Sequence, residues 1–200
     1  MKLAFLITFL LLVLPTTAYS QNVAVIGDSL AHPIAVQLQS LHPSITVHRN
    51  SLGGTGLVYN YQTWLSQFNS FLRRNNPSTT FIVLGTNDAN NISPSIPFNS
   101  ASWNQTYSNR VRAILYITLQ YSHKVVWIGS PPMRNQNFSN KIQHLNFIVQ
   151  QTINSLHNPN VTFFDCFTLF NNIFNPAYRD SDGIHLTHRG ARFLANHLSL

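Results

Sequence analysis

Residues 23–30 read Val-Ala-Val-Ile-Gly-Asp-Ser-Leu, and this stretch determines how the rest of the chain is interpreted. The four apolar residues that precede Gly27 are typical of a short strand buried on both faces of a sheet. Residues 31–41 then follow the pattern of a helix, and Pro33 is tolerated there because it falls in the first turn. The stretch therefore predicts a strand, a turn that carries Ser29, and a helix.

The same alternation of strand and helix continues to the end of the chain. Short apolar runs predict four more strands, at residues 45–48, 81–84, 125–128 and 161–164. Apolar residues at helical spacing predict helices between and after them, and Thr187 is a suitable N-cap for the last one. Five apolar strands that alternate with helices predict an α/β fold, in which helices cover both faces of a parallel sheet. The helical stripes consist of Trp64, Phe68, Phe71 and Leu72; Tyr107, Val111, Ile114 and Leu115; Ile142, Leu145, Val149, Ile153 and Leu156; and Leu194 and Leu198.

Three four-residue motifs fall beside these predicted elements. They are Gly-Asp-Ser-Leu at 27–30, Gly-Thr-Asn-Asp at 85–88, and Asp-Gly-Ile-His at 182–185. Each follows a predicted strand or precedes a helix, where open α/β sheets place their functional sites. Together they hold the side chains that a serine esterase needs. These are a nucleophilic hydroxyl at Ser29, an imidazole base at His185, an orienting carboxylate at Asp182 and an oxyanion-stabilising amide at Asn87.

In this order, the three motifs resemble those of the SGNH (GDSL) hydrolase family. The resemblance covers most of residues 22–198 and implies a three-layer, flavodoxin-like fold with a Ser-His-Asp triad. It also implies that a glycine in the segment Ser-Leu-Gly-Gly-Thr-Gly-Leu, at 51–57, donates a backbone N–H to the oxyanion. Gly54 fits the general family pattern, and Gly56 fits a Thr-Gly-Leu variant of it, so both are candidates.

A further segment narrows the resemblance. Residues 126–134, Val-Trp-Ile-Gly-Ser-Pro-Pro-Met-Arg, look like a strand and loop of an exported bacterial SGNH subgroup. That subgroup is similar to envelope polysaccharide acetylesterases and acetyltransferases. Two interpretations of Arg134 stay open: it meets an anionic group of the substrate, or it is an exposed arginine without a role.

Other residues compete with the proposed roles. His32 is close to Ser29 in sequence and is a second candidate base, although it would lie about one helical turn beyond the nucleophile. Asp180 is a second candidate for orienting His185, but the Asp-x-x-His spacing favours Asp182. We expect Asp28 to organise the turn by hydrogen bonding. Cys166, the sole cysteine, follows an apolar run and is expected to be a buried thiol.

The charge composition excludes some functions and leaves others open. The chain has 12 Lys and Arg residues against five acidic residues, all of them Asp, for a formal charge of +7. The absence of glutamate disfavours two-carboxylate mechanisms such as glycoside hydrolysis. The basic residues are scattered, with Arg73 and Arg74 the one adjacent pair. This distribution fits anionic envelope polymers or a membrane surface better than a nucleic acid, and it also fits a protein without a charge-dependent partner.

The amino-terminal residues predict export. Lys2 is followed by an apolar stretch at residues 3–14 and by small residues up to Ser20, as in a secretory signal peptide. We therefore expect residues 1–20 to be removed, leaving one hydrolase domain at 21–200 that is secreted or periplasmic and has no stable membrane insertion. No group of His, Cys and Asp residues has the spacing of metal ligands, so no metal or other cofactor is expected.

The sequence thus predicts an exported serine esterase that acts on a small ester or an acylated carbohydrate. An acetyl group on an envelope carbohydrate is the favoured substrate, on the basis of the resemblance and the predicted export. Three alternatives remain: an O-acetyltransferase that passes the acyl group to a polysaccharide, a lipid acyl hydrolase, and a non-catalytic carbohydrate-binding module. The complete set of catalytic side chains argues against the last of these.

Overall fold

The computed structural model describes residues 22–200, so the predicted signal peptide and its cleavage site lie outside the described residues. Five strands form one all-parallel sheet in the order β2-β1-β3-β4-β5. The strands are β1 Asn22–Gly27, β2 Thr46–Ser51, β3 Thr79–Val83, β4 Lys124–Ile128 and β5 Val161–Phe164. The helices are α1 Ala31–Leu41, α2 Tyr61–Asn75, α3 Ala101–Leu119, α4 Gln136–Ser155, α5 Cys166–Leu169 and α6 His188–Ala195, and a 3₁₀ turn spans Pro176–Tyr178.

Helices cover both faces of the sheet, which confirms the predicted three-layer α/β fold. On one face, α2, α3 and α4 pack against the strands through a core that includes Trp64, Trp103 and Trp127, all fully buried. On the other face, α1 and α6 contribute residues such as Leu38 and Leu194 to a second core. None of the helices within residues 22–200 is both long and apolar enough to cross a bilayer.

The strand order places the first two motifs and the glycine-rich segment after β2 at the carboxyl ends of neighbouring strands. The chain runs from β1 to β2 on one side and then to β3 on the other side, so β1 lies at a topological switch point. Gly27, the last residue of β1, pairs with Ser51 of β2 and with Val83 of β3. The segments that follow these three strands therefore begin side by side, in the crevice where open α/β folds bind their ligands.

β3 begins at Thr79, two residues before its predicted start, and two other elements differ from the sequence-based predictions. β2 runs to Ser51 rather than ending at His48, because residues 49–51 continue to pair with β1. As β2 is an edge strand, these residues can be polar and need not be buried. The short helix α5 was not predicted. It begins after Asp165, whose carboxylate accepts hydrogen bonds from the Phe167 and Thr168 N–H groups. The predicted burial of Cys166 and the predicted N-cap at Thr187 are both confirmed.

Candidate active site

Ser29 lies in the tight turn between β1 and α1. The Asp28 N–H donates to the Val83 carbonyl over 2.8 Å, and the Ala31 N–H donates to the Asp28 carbonyl over 3.1 Å. Gly27 has to be a glycine, because a Cβ at this position would overlap the Val83 carbonyl of the neighbouring strand. The close approach of the two strands thus fixes the turn. Ser29 is half-buried, just beyond the carboxyl end of β1.

The structure brings His185 and Asp182 to this serine although they lie more than 150 positions later in the chain. His185 Nε2 is 2.9 Å from Ser29 Oγ, and His185 Nδ1 is 2.5 Å from Asp182 Oδ2. The side chains of His185 and Asp182 are 43% and 45% exposed, so solvent and ligands reach the site. A neutral imidazole in this arrangement donates from Nδ1 to the carboxylate and accepts the serine proton at Nε2.

The loop that carries Asp182 and His185 is shaped by the aspartate itself. Asp182 Oδ1 accepts hydrogen bonds from the Ile184 N–H at 2.8 Å and the His185 N–H at 3.0 Å. The carboxylate therefore binds backbone through one oxygen and the imidazole through the other. Hydrogen bonds lower the pKa of Asp182 to about 2, and the bond to the His185 ring contributes more than those to the backbone N–H groups. The carboxylate is consequently ionised at neutral pH.

Two arginines hold this loop against the body of the protein. Arg134 donates from its guanidinium to the Ser181 carbonyl at 2.7 Å, and its backbone N–H donates to the Gly183 carbonyl at 3.2 Å. Arg179 is buried and donates to the carbonyls of Ile184 and Pro132. From the sequence, Arg134 was interpreted either as a contact for an anionic substrate group or as an arginine without a role. These contacts show a third role, since the side chain supports the loop that carries Asp182.

Asn87 is half-buried in the segment after β3, and its amide faces the loop that follows β2. Asn87 Nδ2 donates to the Thr55 carbonyl over 2.8 Å. The amide carries two N–H groups, so this bond fixes its orientation and leaves one N–H for a ligand. Within residues 22–200 the Ser29 backbone N–H has no hydrogen-bond acceptor, so it is a second available donor near the serine.

The two glycines proposed from the sequence lie in different surroundings. Gly54 is exposed and adopts a left-handed backbone conformation with φ of 71°, and the adjacent Gly53 lies beside the Ser29 side chain. Gly56 is buried, and a Cβ there would overlap the carboxylate of Asp88. Packing against Asp88 therefore explains why residue 56 is a glycine, whereas Gly54 lies on the exposed part of the loop.

A buried pair of carboxylates lies behind the site. Asp28 accepts from the Leu30 N–H at 3.0 Å and the Thr86 N–H at 3.3 Å, which ties the serine turn to the segment after β3. Asp88 accepts from the Val58 N–H at 2.7 Å and from the Tyr107 hydroxyl at 2.9 Å.

Burial raises the pKa values of this network. Loss of solvation, with a smaller contribution from the charge of the nearby Asp88, raises the pKa of Asp28 to about 7. Loss of solvation likewise raises the pKa of Asp88 and, well above its ordinary value, that of Tyr107. The expectation that Asp28 organises the turn agrees with its contacts. The partner Tyr107 was identified from the sequence only as a core residue, because nothing local shows that its hydroxyl reaches Asp88.

The competing residues are not part of this arrangement. His32 is exposed on α1, and its ring has no hydrogen bond to a residue within 22–200. Asp180 contacts His185 only through the backbone, since the Asp180 N–H donates to the His185 carbonyl over 2.9 Å. Among the described residues, no three His, Cys, Asp or Glu side chains come together as a set of metal ligands.

Comparison with known proteins places the chain in a family. The family described as "Protein of unknown function (DUF459)" matches residues 22–199, and the chain belongs to it. No curated protein sequence matches this chain. Similar solved structures include a lipase/acylhydrolase from Enterococcus faecalis, with 17% identity over 88% of this chain and 92% of that chain and a TM-score of 0.66. They also include a catalytic mutant of an acetylxylan esterase from Geobacillus stearothermophilus, with 16% identity over 88% of this chain and 91% of that chain and a TM-score of 0.64.

These likenesses confirm the resemblance to the SGNH hydrolases at the level of the fold. The five parallel strands and flanking helices of this chain align with these structures over most of both chains. At identities below one in five, the likeness says nothing about which side chains react, so the roles of individual residues have to be argued from the geometry of this chain.

Proposed function

We propose that this member of the DUF459 family is a serine ester hydrolase in which Ser29, His185 and Asp182 form the catalytic triad. The observation that carries the proposal is the unbroken series of hydrogen bonds from Asp182 through both ring nitrogens of His185 to the Ser29 hydroxyl. Three side chains from two motifs that lie far apart in the sequence meet in the order that nucleophilic catalysis by serine requires.

The first half of the reaction acylates Ser29. As Ser29 Oγ attacks the ester carbonyl carbon, its proton passes to His185 Nε2, and the imidazole becomes positively charged. Asp182 stabilises that charge, because its depressed pKa keeps it ionised at neutral pH. The tetrahedral intermediate then collapses when the C–O bond to the alcohol breaks, and His185 returns the proton to the departing alkoxide.

The negative oxygen of the tetrahedral intermediate needs nearby donors. We assign this role to the Ser29 N–H, the free N–H of the Asn87 amide and the Gly54 N–H. The bond from Asn87 to the Thr55 carbonyl supports the assignment, since it orients the amide before substrate arrives. Gly54 is preferred to Gly56 because Gly56 is buried against the Asp88 carboxylate.

The second half of the reaction releases the acid. Water takes the place of the alcohol, His185 removes one of its protons, and the hydroxide oxygen attacks the acyl carbon. Collapse of this second intermediate breaks the bond to Ser29 Oγ, which recovers its proton from His185. The cycle needs no redox step, and atoms and charge balance with one ester and one water consumed for one acid and one alcohol formed.

For the substrate, we infer a small acyl group, with acetyl favoured, on a carbohydrate outside the cytoplasm. The similar fold of an acetylxylan esterase supports a sugar ester. The predicted signal peptide supports a substrate beyond the membrane, and the exposure of His185 and Asp182 supports a bulky alcohol group.

The test is hydrolysis of p-nitrophenyl esters from acetyl to palmitoyl, together with acetylated oligosaccharides, by wild type and Ser29→Ala. We expect the highest kcat/KM with the acetyl esters and none above background with the variant. A fluorophosphonate probe should label Ser29 in the wild type, and Ser40→Ala, an exposed serine of α1, is the matched control.

Two outcomes contradict the proposal. Equal hydrolysis by wild type and a folded Ser29→Ala protein excludes Ser29 as the nucleophile. A preference for palmitoyl esters excludes the small acyl group. Mass spectrometry of a reaction that contains an unmodified sugar acceptor identifies the product. An excess of acetylated acceptor over free acetate would show that the enzyme transfers the acetyl group and does not hydrolyse the ester.

A further inference from the structure

A second surface lies just beyond the candidate triad. Tyr178, Arg189, Arg192, Phe193 and Asn196 line an open groove of about 210 Å³ along the outside of α6. None of these residues takes part in the proposed chemistry. The groove combines two guanidinium groups, one amide and two aromatic rings.

The aromatic floor of the groove is fixed by packing. The rings of Tyr178 and Phe193 are stacked at 4.8 Å, and Phe170 packs against both of them from below. Gly190 allows this, because a Cβ there would overlap the Tyr178 carbonyl. The Arg189 guanidinium lies over the Tyr178 ring, 5.4 Å from its centroid. The floor is therefore already ordered before a ligand binds.

The positive charge of the groove has no carboxylate partner among the described residues. Within residues 22–200 neither Arg189 nor Arg192 lies within 4.0 Å of a carboxylate, and both are exposed. The acidic residues of the chain are committed elsewhere: Asp28 and Asp88 are buried, Asp165 caps α5, and Asp182 pairs with His185. Asp180 is exposed on the preceding loop and makes no ion pair. The groove therefore offers two exposed guanidinium groups, not paired with a carboxylate, to an anionic ligand.

The groove is close enough to the triad for one extended molecule to reach both. Arg189 follows His185 by four residues, so their Cα atoms are separated by at most about 14 Å. Arg192 and Asn196 continue along α6, which packs beside α1, the helix that follows Ser29. A ligand that contacts both places can extend over a distance of up to about 14 Å, which suits a chain of several sugars.

We propose that the groove binds an acidic sugar residue of the same glycan chain whose ester lies at Ser29. Arg189 and Arg192 pair with its carboxylate or phosphate, the Asn196 amide bonds its hydroxyl groups, and the aromatic floor contacts the sugar ring. The inference rests on the proposed function and specifies its substrate as an acylated acidic polysaccharide. Guanidinium groups suit both carboxylates and phosphates, so the source of the negative charge is part of the test.

The first experiment measures binding without turnover. Isothermal titration calorimetry uses the Ser29→Ala protein with an oligogalacturonide, a phosphorylated oligosaccharide, and a neutral xylo-oligosaccharide of the same length. We expect at least one acidic ligand to bind more tightly than the neutral one. Arg189→Gln with Arg192→Gln should weaken acidic binding by roughly three- to tenfold, the loss of two exposed ion pairs. Arg73→Gln with Arg74→Gln, on α2 at the other face of the sheet, removes the same charge and should change nothing.

The second experiment measures turnover. In the Arg189→Gln, Arg192→Gln protein, KM for an acetylated acidic oligosaccharide should rise by the same factor, while kcat and the hydrolysis of p-nitrophenyl acetate stay as in wild type. High salt should abolish the difference, because exposed ion pairs are screened. Carboxylated and phosphorylated substrates that respond differently identify the acidic group.

Three results overturn the inference. One is equal weakening by the α2 control, which assigns the effect to the net charge of the chain. Another is equal affinity for acidic and neutral oligosaccharides. The third is loss of binding to phosphatidylglycerol vesicles in the α6 variant with glycan binding unchanged, which makes the groove a membrane contact. Failure of the proposed function gives a different result: the wild-type protein does not hydrolyse p-nitrophenyl acetate, whereas calorimetry still measures glycan binding.

Discussion

Asp182 and Asp28 are carboxylates that serve the same serine from opposite surroundings. Asp182 lies on an exposed loop, with 45% of its side chain accessible, and its pKa is lowered to about 2. Asp28 directly precedes Ser29, is fully buried, and has its pKa raised to about 7. Each accepts two backbone hydrogen bonds, and Asp182 has the His185 ring as a further partner, so the backbone donors do not explain the difference.

Solvation explains it instead. Around Asp182, water still stabilises the charge, so the donors from His185 and the backbone lower the pKa further. Around Asp28, the lost solvation outweighs the hydrogen bonds from Leu30 and Thr86, and the neighbouring Asp88 adds repulsion. The exposed carboxylate thus keeps a charge that the reaction can use, while the buried one holds together the segments that carry Ser29 and Asn87. We expect changes in the exposed group to affect turnover and changes in the buried group to affect stability.

Removal of the nucleophile should have the largest effect. Ser29→Ala is expected to lower kcat for p-nitrophenyl acetate by about 10⁶, as for other triad serines, without lowering the free energy of unfolding. Urea denaturation followed by tryptophan fluorescence measures that stability. If the variant lost activity only in proportion to a loss of folded protein, Ser29 would have a structural role, like Asp28, and would not be the nucleophile.

Neutralising the exposed carboxylate should have the next largest effect. Asp182→Asn keeps the shape of the side chain but removes the charge that stabilises the imidazolium, and a loss of about 10⁴ in kcat is expected. Asp180→Asn, two residues earlier and also exposed, should lose little activity. Steady-state kinetics of the two variants decide between the two aspartates, and a larger loss in Asp180→Asn would assign the orienting role to Asp180.

The oxyanion donor should have an intermediate effect. Asn87→Ala removes an amide that acts on charge formed only in the transition state, so kcat should fall by about 10²–10³ with KM nearly unchanged. Asn140→Ala, on the exposed side of α4, is the control for loss of an asparagine amide. A rise in KM with constant kcat would make Asn87 a substrate-binding residue.

The sequence predicted the parts of this molecule whose cause is local. Buried strands such as β3 and β4 contain continuous apolar runs. The turn around Ser29 is predicted by Gly27 and by the helical pattern that follows. The end of β2 was missed because an edge strand needs few apolar residues, and residues 49–51 are polar. Helix α5 was missed because four residues are too short for a periodic pattern.

The supporting contacts of the site could not be predicted in the same way. Arg134 is 47 positions away from Ser181, and Tyr107 is 19 positions away from Asp88, so only the folded chain shows that they meet. Gly54 and Gly56 look equivalent in the sequence, but only one of them packs against a buried carboxylate. The reacting side chains could be predicted because each lies in a short motif and the motifs occur in a fixed order. The residues that support them could not be predicted, because their contacts depend on long-range packing.

The smallest expected effect concerns the pH dependence of stability. Asp28 has an ordinary pKa near 3.8 when unfolded and about 7 when folded, so between these values the folded state binds the extra proton. The free energy of unfolding should therefore fall as pH rises through this window, by up to about 1.4 kcal/mol per pH unit from this group, and level off above it. Asp28→Asn cannot ionise and should remove that share of the slope, while its Oδ1 still accepts the Leu30 N–H.

Urea unfolding of wild type, Asp28→Asn and Asp180→Asn at several pH values between about 4 and 8 measures these slopes. Asp180→Asn should keep the wild-type slope, because that aspartate is exposed. Asp88 also has a raised pKa, so part of the slope should remain in Asp28→Asn. An unchanged slope in Asp28→Asn would mean that Asp28 is ionised in the folded protein across this range. The contrast with Asp182 would then lie in exposure alone and not in charge.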